Sequence, residues 1–345
     1  MLRNKFILYI GILFTFSSCE FSQPKTEDQY IADMKTLLKE KLSAEYEIGN
    51  TQRATHVKSH GLVKAKFDVV DSLPDELRVG IFKTPKTFNA WMRFSNARGM
   101  AQSDKIKDFR GLSIKLLNTS ENKIITHDFV LQSYPTMALG TVKDFRDGMY
   151  YDLKKSRLYA AVAFVFSGRL GVLLDFNSGR QLHSSPLDID YWSATPYRFG
   201  QKIVKYRLKP TSDYKSEAPK DLSDNYLKEN MMNHLRNDAA TFDFEIQFYI
   251  NDKLTPIEEA RTEWKESDSP FIKIAEITIP KQSFDSKKRR ALQMQLSFDP
   301  SNVPGDHQPV GGLNRARKAI YNVLASFRSN RDNIELITPS FEEID

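Results

Sequence analysis

The chain has 345 residues, enough to bury a large core as one big domain or two ordinary ones. At 40% hydrophobic and 12% aromatic residues it falls outside the disordered class. Its 50 Lys and Arg against 44 Asp and Glu leave a formal charge of +6, too slight a bias to point to nucleic acid.

The first element is MLRNKFILYIGILFTFSSC, with cationic Arg3 and Lys5, an apolar run from Phe6 to Phe16, and small polar residues before Cys19. That order reads as an export signal, since the apolar run is shorter than the roughly 20 residues a spanning helix takes. Its end, FSSC, resembles the lipobox of bacterial lipoproteins, in which the cysteine is acylated and becomes the new N-terminus. The resemblance implies a signal peptide over 1–18, a lipidated tether over 19–28, and a protein held in the periplasm or at the outer membrane through Cys19. Cys19 is the only cysteine, so the mature chain has no disulfide and no thiolate site.

From Gln29 to Tyr46, Ile31, Met34, Leu37, Leu38 and Leu42 recur at three- and four-residue steps and predict an amphipathic helix. The stretch RATHVKSHG, 53–61, leads into a strand where Val63, Ala65, Phe67 and Val69 alternate with charged residues. Short strands are expected at 90–96, 110–118, 127–133, 242–250 and 271–279. Residues 143–175 read as helical with a break at Gly168, 176–240 as loop and short helix, and 313–328 as a helix. The run from Lys287 to Arg290 reads as a solvated face. Strands linked by turns predict an antiparallel sheet or barrel with helices packed around it.

His56 and His60 suggest a zinc pair only if the segment is helical; on an extended chain four residues span about 13 Å, too far for one ion. No G-x-S-x-G elbow and no phosphate-binding glycine loop occurs in the sequence. In NRARKAIYNVLASFR, Arg317, Tyr321 and Arg328 share one helix face, because seven residues nearly complete two turns. A surface helix with two solvated arginines and a core tyrosine has the same pattern. The alternative is a metal-binding phenolate: its proton, with a reference pKa of about 10, must be held off at neutral pH at a cost of about 4 kcal/mol. A ferric ion and a guanidinium one turn earlier would supply that.

Five blocks in order resemble haem catalases. R-x-x-H-x-K, Arg53 to Lys58, is similar to their distal histidine segment; WMRFSN, Trp91 to Asn96, to their propionate-binding R-F-S; DFRGLSIKL, Asp108 to Leu116, to their D-x-R-G strand. HDFVLQSYP, His127 to Pro135, lies where they carry the distal asparagine, and Arg317, Tyr321 and Arg328 repeat the proximal spacing. The match covers about 50–330 and looks closer to the small catalase-related haem proteins, which include peroxidases and the coral allene oxide synthase, than to a full catalase.

The resemblance implies an α+β fold, an eight-stranded antiparallel barrel with flanking helices, as a single domain over 29–345. It also implies haem b, with Tyr321 as axial ligand of the iron, Arg317 on its oxygen, and Arg53, Arg93, Arg328 and Ser95 at the propionates. His56 would shuttle the proton of a peroxide during turnover through a ferryl state, with an outside electron donor. Gln132 stands at the distal asparagine position, or Ser133 if the register slips by one, so the group that orients peroxide is changed. Thr55 replaces the valine before the histidine, and its hydroxyl is expected to reach His56 or the oxidant. His60, His127, His183, His234 and His307 match no motif and are read as surface or structural. The leading function is a haem peroxidase for hydrogen peroxide or organic hydroperoxides. Lipid hydroperoxide rearrangement and haem binding without turnover are the alternatives.

Overall fold

The computed structural model describes residues 25–120 and 123–341. The expected export signal, Cys19 and residues 20–24 of the expected tether lie outside the described residues. Helix α1 (Glu27–Glu45) begins inside that tether because Thr26 and Gln29 cap it reciprocally: Thr26 Oγ1 accepts from Gln29 N at 3.3 Å and Gln29 Oε1 from Thr26 N at 2.9 Å.

The strands are β1 (Ser59–Val69), β2 (Thr87–Asn96), β3 (Arg110–Ser120), β4 (Lys123–Gln132), β5 (Tyr191–Trp192), β6 (Tyr197–Phe199), β7 (Lys202–Pro210), β8 (Ala240–Phe248) and β9 (Ile272–Ile279). All pair antiparallel. Two-residue β5 closes the sheet: Trp192 pairs with Gln132 of β4 and with Arg207 of β7, while β1 pairs with β9. The ring β1-β2-β3-β4-β5-β7-β8-β9 is an eight-stranded antiparallel barrel, with β6 as a hairpin on β7. Alternation on each strand sends one side chain set inward, so Phe67, Phe129 and Phe244 fill the interior, with Phe129 and Phe244 ring centres 4.8 Å apart.

Around the barrel lie α2 (Val142–Lys154), α3 (Arg157–Phe166), α4 (Leu170–Gly179), α5 (Tyr226–Asn237), α6 (Lys287–Gln295) and α7 (Gly312–Asp332). A second core of Met34, Leu38 and Leu42 from α1, Val142 from α2, and Leu313, Ala316 and Ile320 fixes α7 against α1 and α2. Among the described residues no helix is long and apolar enough to cross a membrane.

Three expectations need correction. The helical stretch 143–175 is three helices, because Ser156 caps α3 and Gly168, at φ +72, turns the chain before α4. The stretch 176–240, expected as loop and short helix, has the helix in α5 but also contains strands β5, β6 and β7. In β7, Val204, Tyr206 and Leu208 do alternate, but the charged residues between them are also buried: Lys205 lies 4.7 Å from the Trp264 ring centre and Arg207 3.7 Å from that of Phe271. The run Lys287 to Arg290 is not wholly solvated, since Arg289 is buried, donates to Leu62 O at 3.1 Å and lies over Trp91. Histidines 60, 127, 234 and 307 are all buried.

Candidate functional site

A cavity of about 290 Å³ opens between the 53–56 segment, β3, β4 and helices α1, α2 and α7. Eight residues singled out from the sequence line it: Arg53, Thr55, His56, Arg93, Gln132, Arg317, Tyr321 and Arg328. The segment before β1 supplies three, α7 supplies three, and β2 and β4 one each. Ser95 does not line the cavity.

His56 adopts the left-handed backbone region, φ 58, uncommon for a residue with a side chain. Its N–H donates to Ala97 O at 3.0 Å and its carbonyl accepts from Arg93 Nη2 at 2.7 Å, which hold that conformation. The ring packs against Gly111 of β3: a Cβ there would stand 2.3 Å from Nδ1. Ser95 Oγ lies 3.1 Å from Nδ1 and donates to Gly111 O at 3.5 Å, leaving its lone pairs to accept from an Nδ1–H. Nε2 then carries the free lone pair. Burial, followed by the charges of Arg93, Arg317 and Arg53, pushes the His56 pKa down to about 3, so the ring is neutral at pH 7, a weaker base than a free imidazole with its lone pair open to accept a proton.

A methyl at position 111 would have to displace the imidazole. Gly111→Ala should therefore destabilise the protein by about 1–3 kcal/mol through overpacking. In a double-mutant cycle by chemical denaturation, that cost should largely vanish in a His56→Ala background. An equal cost in both backgrounds would show that Gly111 does not seat His56.

Arg53, Arg93 and Arg328 form a cationic cluster. Arg53 Nη2 donates to the carbonyls of Gln293 and Leu296 at 2.9 and 2.8 Å, and Arg328 Nη2 to Met294 O at 3.3 Å. The Nε atoms of Arg93 and Arg328 are buried without a hydrogen-bond partner. Asp332, one turn past Arg328, is engaged instead by the N–H groups of Gly49 and Thr51 and by the Thr51 hydroxyl. Burial and then mutual repulsion lower the pKa values: Arg53 falls well below its usual value, and Arg93 is lowered to about 9. Among the described residues, no carboxylate ion-pairs with any of the three.

Arg317 is the opposite case. Burial alone would lower its pKa, but the Tyr197 and Tyr321 phenols outweigh it and hold the guanidinium charged. Its Nη1 donates to Thr195 Oγ1 at 2.8 Å and Asn314 Oδ1 at 3.1 Å, and its carbon sits 5.6 Å from the Tyr321 ring centre. A fixed positive charge thus stands beside the phenol that faces the cavity.

Solved structures that share this architecture include a fungal catalase, with TM-score 0.66 at 15% identity over 82% of this chain, and a bacterial catalase, with TM-score 0.66 at 14% over 98%. Catalase A from Saccharomyces cerevisiae superposes at TM-score 0.63 and 15% identity over 99% of the chain. The fold is catalase-like. The chain spans 60% of the fungal protein's length and 71% and 70% of the other two. No protein-family model and no curated protein sequence matches it.

On this catalase-like barrel three expected roles change. The Gln132 side-chain nitrogen donates to Tyr134 O at 3.2 Å and Thr136 O at 2.6 Å; both partners are carbonyls, so both hydrogens are committed and only Oε1 faces the cavity as an acceptor. The alternative register is also excluded as a donor to the cavity, because Ser133 lies off the lining and its hydroxyl accepts from Arg110 N at 2.8 Å. The hydroxyl that reaches His56 belongs to Ser95, which holds the histidine instead of facing the arginine cluster, while Thr55 lines the cavity with the oxidant as its remaining expected partner. Unforeseen from the sequence is an apolar wall from Phe145 and Met149 of α2 with Leu38 and Leu42 of α1. The period of α1 showed its apolar face, but not that part of this face borders a cavity.

Proposed function

We propose that the cavity holds haem b and that the protein is a haem peroxidase acting on hydrogen peroxide or organic hydroperoxides. The carrying observation is the cluster of Arg93 and Arg328, both buried, with half-buried Arg53, none of them ion-paired to a carboxylate among the described residues, in a cavity that also presents a phenol and a neutral histidine. The side chains fit the group. Arg53, Arg93 and Arg328 would hold its two propionates, supplying partners for the orphaned Nε atoms. The apolar walls suit the macrocycle, and Tyr321, with the Arg317 guanidinium beside its ring, would bind the iron.

When bound, haem would supply the redox centre that takes electrons from an outside donor and passes them to the peroxide. His56 Nε2 accepts the proton from the near oxygen of the peroxide and returns it to the far oxygen, which leaves as water or alcohol. Ser95 fixes the tautomer that makes Nε2 the acceptor. Because Gln132 offers only an acceptor, it orients a peroxide by receiving a hydrogen bond from it, not by giving one.

Protein loaded with hemin should oxidise a reducing dye on addition of hydrogen peroxide or cumene hydroperoxide. Tight hemin binding with no dye oxidation and no peroxide consumption would leave a haem-binding protein without turnover, a reading favoured by the commitment of the Gln132 amide to its own turn. Export and acylation at Cys19 are part of the proposal. Incorporation of labelled palmitate that Cys19→Ala abolishes supports them, and equal labelling of both chains contradicts them.

A further inference from the structure

We infer that α3 and α4 form a docking face for a lipid bilayer, separate from the cavity. In α3, Leu158, Tyr159, Val162, Val165 and Phe166 fall on one face of the helix, and that face points to water; Leu158 is 75% and Phe166 86% exposed. In α4, Leu170 and Leu174 are exposed in the same way. The inward positions are Phe164 and Val172. An amphipathic helix on a globular protein normally turns its polar face outward. Here both faces are apolar, and an exposed apolar surface of this kind marks a contact.

The chemistry of the face specifies its occupant. From Leu158 to Leu174 the only charged residue is Arg169, and it is turned inward to Asp144 and Asp147 of α2. Lys155 is exposed at one end of the hairpin, beside Asp152 and beside Lys154, which pairs with Glu40 of α1 at 2.6 Å, and Arg180 is exposed at the other. An apolar strip rimmed by cations, on helices too short to span, suits the boundary between acyl chains and anionic headgroups.

Its position fits as well. Asp33 of α1 binds Lys25 Nζ at 2.5 Å and Arg146 Nε at 2.8 Å; Arg146 donates to Asp147 at 3.1 Å, and Asp147 accepts from Arg169 at 3.4 Å. One ionic chain therefore joins the first described residue to the turn between α3 and α4. Cys19 precedes Lys25 by six residues, a reach of at most about 21 Å. An acylated Cys19 and the apolar strip can meet the same surface, giving two membrane contacts on one side of the protein.

The test uses the chain from Glu20 onward, which has no acyl chain and contains the whole packed unit between Lys25 and Phe341. With vesicles of phosphatidylethanolamine and phosphatidylglycerol it should cosediment. Val162→Asp with Phe166→Asp should lower the bound fraction by more than about tenfold at an unchanged unfolding midpoint. Emission from Phe166→Trp should shift to the blue when vesicles are added. Absence of sedimentation and of the shift overturns the proposal, as does equal binding by the aspartate variant. A vesicle-indifferent dimer that the aspartates split overturns it too, assigning the face to a second copy. The test needs neither haem nor acylation, so its failure leaves those readings standing.

Discussion

Tyr321→Phe should weaken hemin binding by about 100-fold or more, the equivalent of about 2.8 kcal/mol, and abolish the ferric charge-transfer absorption that depends on the phenolate. The substitution removes one oxygen from a half-buried side chain. Arg317 loses the Tyr321 oxygen but keeps Thr195, Asn314 and Tyr197 as partners, and α7 keeps Ile320, Ala316 and Leu313 in the core it shares with α1. The unfolding midpoint of the hemin-free protein should therefore hardly move. Restored affinity with a changed spectrum in Tyr321→His would identify position 321 as the axial ligand. If Tyr321→Phe binds hemin as tightly as the parent and with the same spectrum, the assigned ligand is wrong.

His56→Ala should slow the reaction of the hemin-loaded protein with peroxide by about 10²–10⁴-fold, the usual weight of a positioned proton-transfer group. Hemin affinity should stay within a small factor, because His56 touches neither the arginine cluster's free Nε atoms nor Tyr321 through any hydrogen bond. Stopped-flow measurement of the peroxide reaction against hemin titration separates the two effects. A rate unchanged by the substitution would remove His56 from the chemistry. Ser95→Ala acts through His56: it frees the ring to exchange tautomers, so it should lower the rate less than His56→Ala and leave hemin affinity intact.

The features legible in the sequence are those carried by local period. Phe242, Phe244 and Ile246 share a face of β8 as their alternation demands, and Arg317, Tyr321 and Arg328 line one cavity because helical pitch puts them on one side of α7. The barrel's closure was not legible. It depends on Tyr191 and Trp192, two residues with no period of their own, meeting β4 and β7 across the fold. Nor could the sequence show which hydroxyl serves His56. Thr55 adjoins it in the chain, yet Ser95 reaches it because strand pairing sets Ser95 opposite Gly111, against which the ring packs. The fate of the Gln132 amide was hidden for the same reason, since the turn carbonyls of Tyr134 and Thr136 capture it. Burial of Arg289 depends on Trp91, nearly two hundred positions away in the chain, and a run of basic residues carries no sign of that.

In the proposed function, Arg53, Arg93 and Arg328 together with the Tyr321 phenol make this cavity a haem site. Titration of the purified protein with hemin, followed by visible absorption, tests it most directly. The account predicts saturation at one hemin per chain, with binding that weakens in Arg93→Leu and in Arg328→Leu and a spectrum that changes in Tyr321→Phe. Failure of the parent protein to take up hemin, or uptake equally tight and spectrally identical in all three variants, would contradict it.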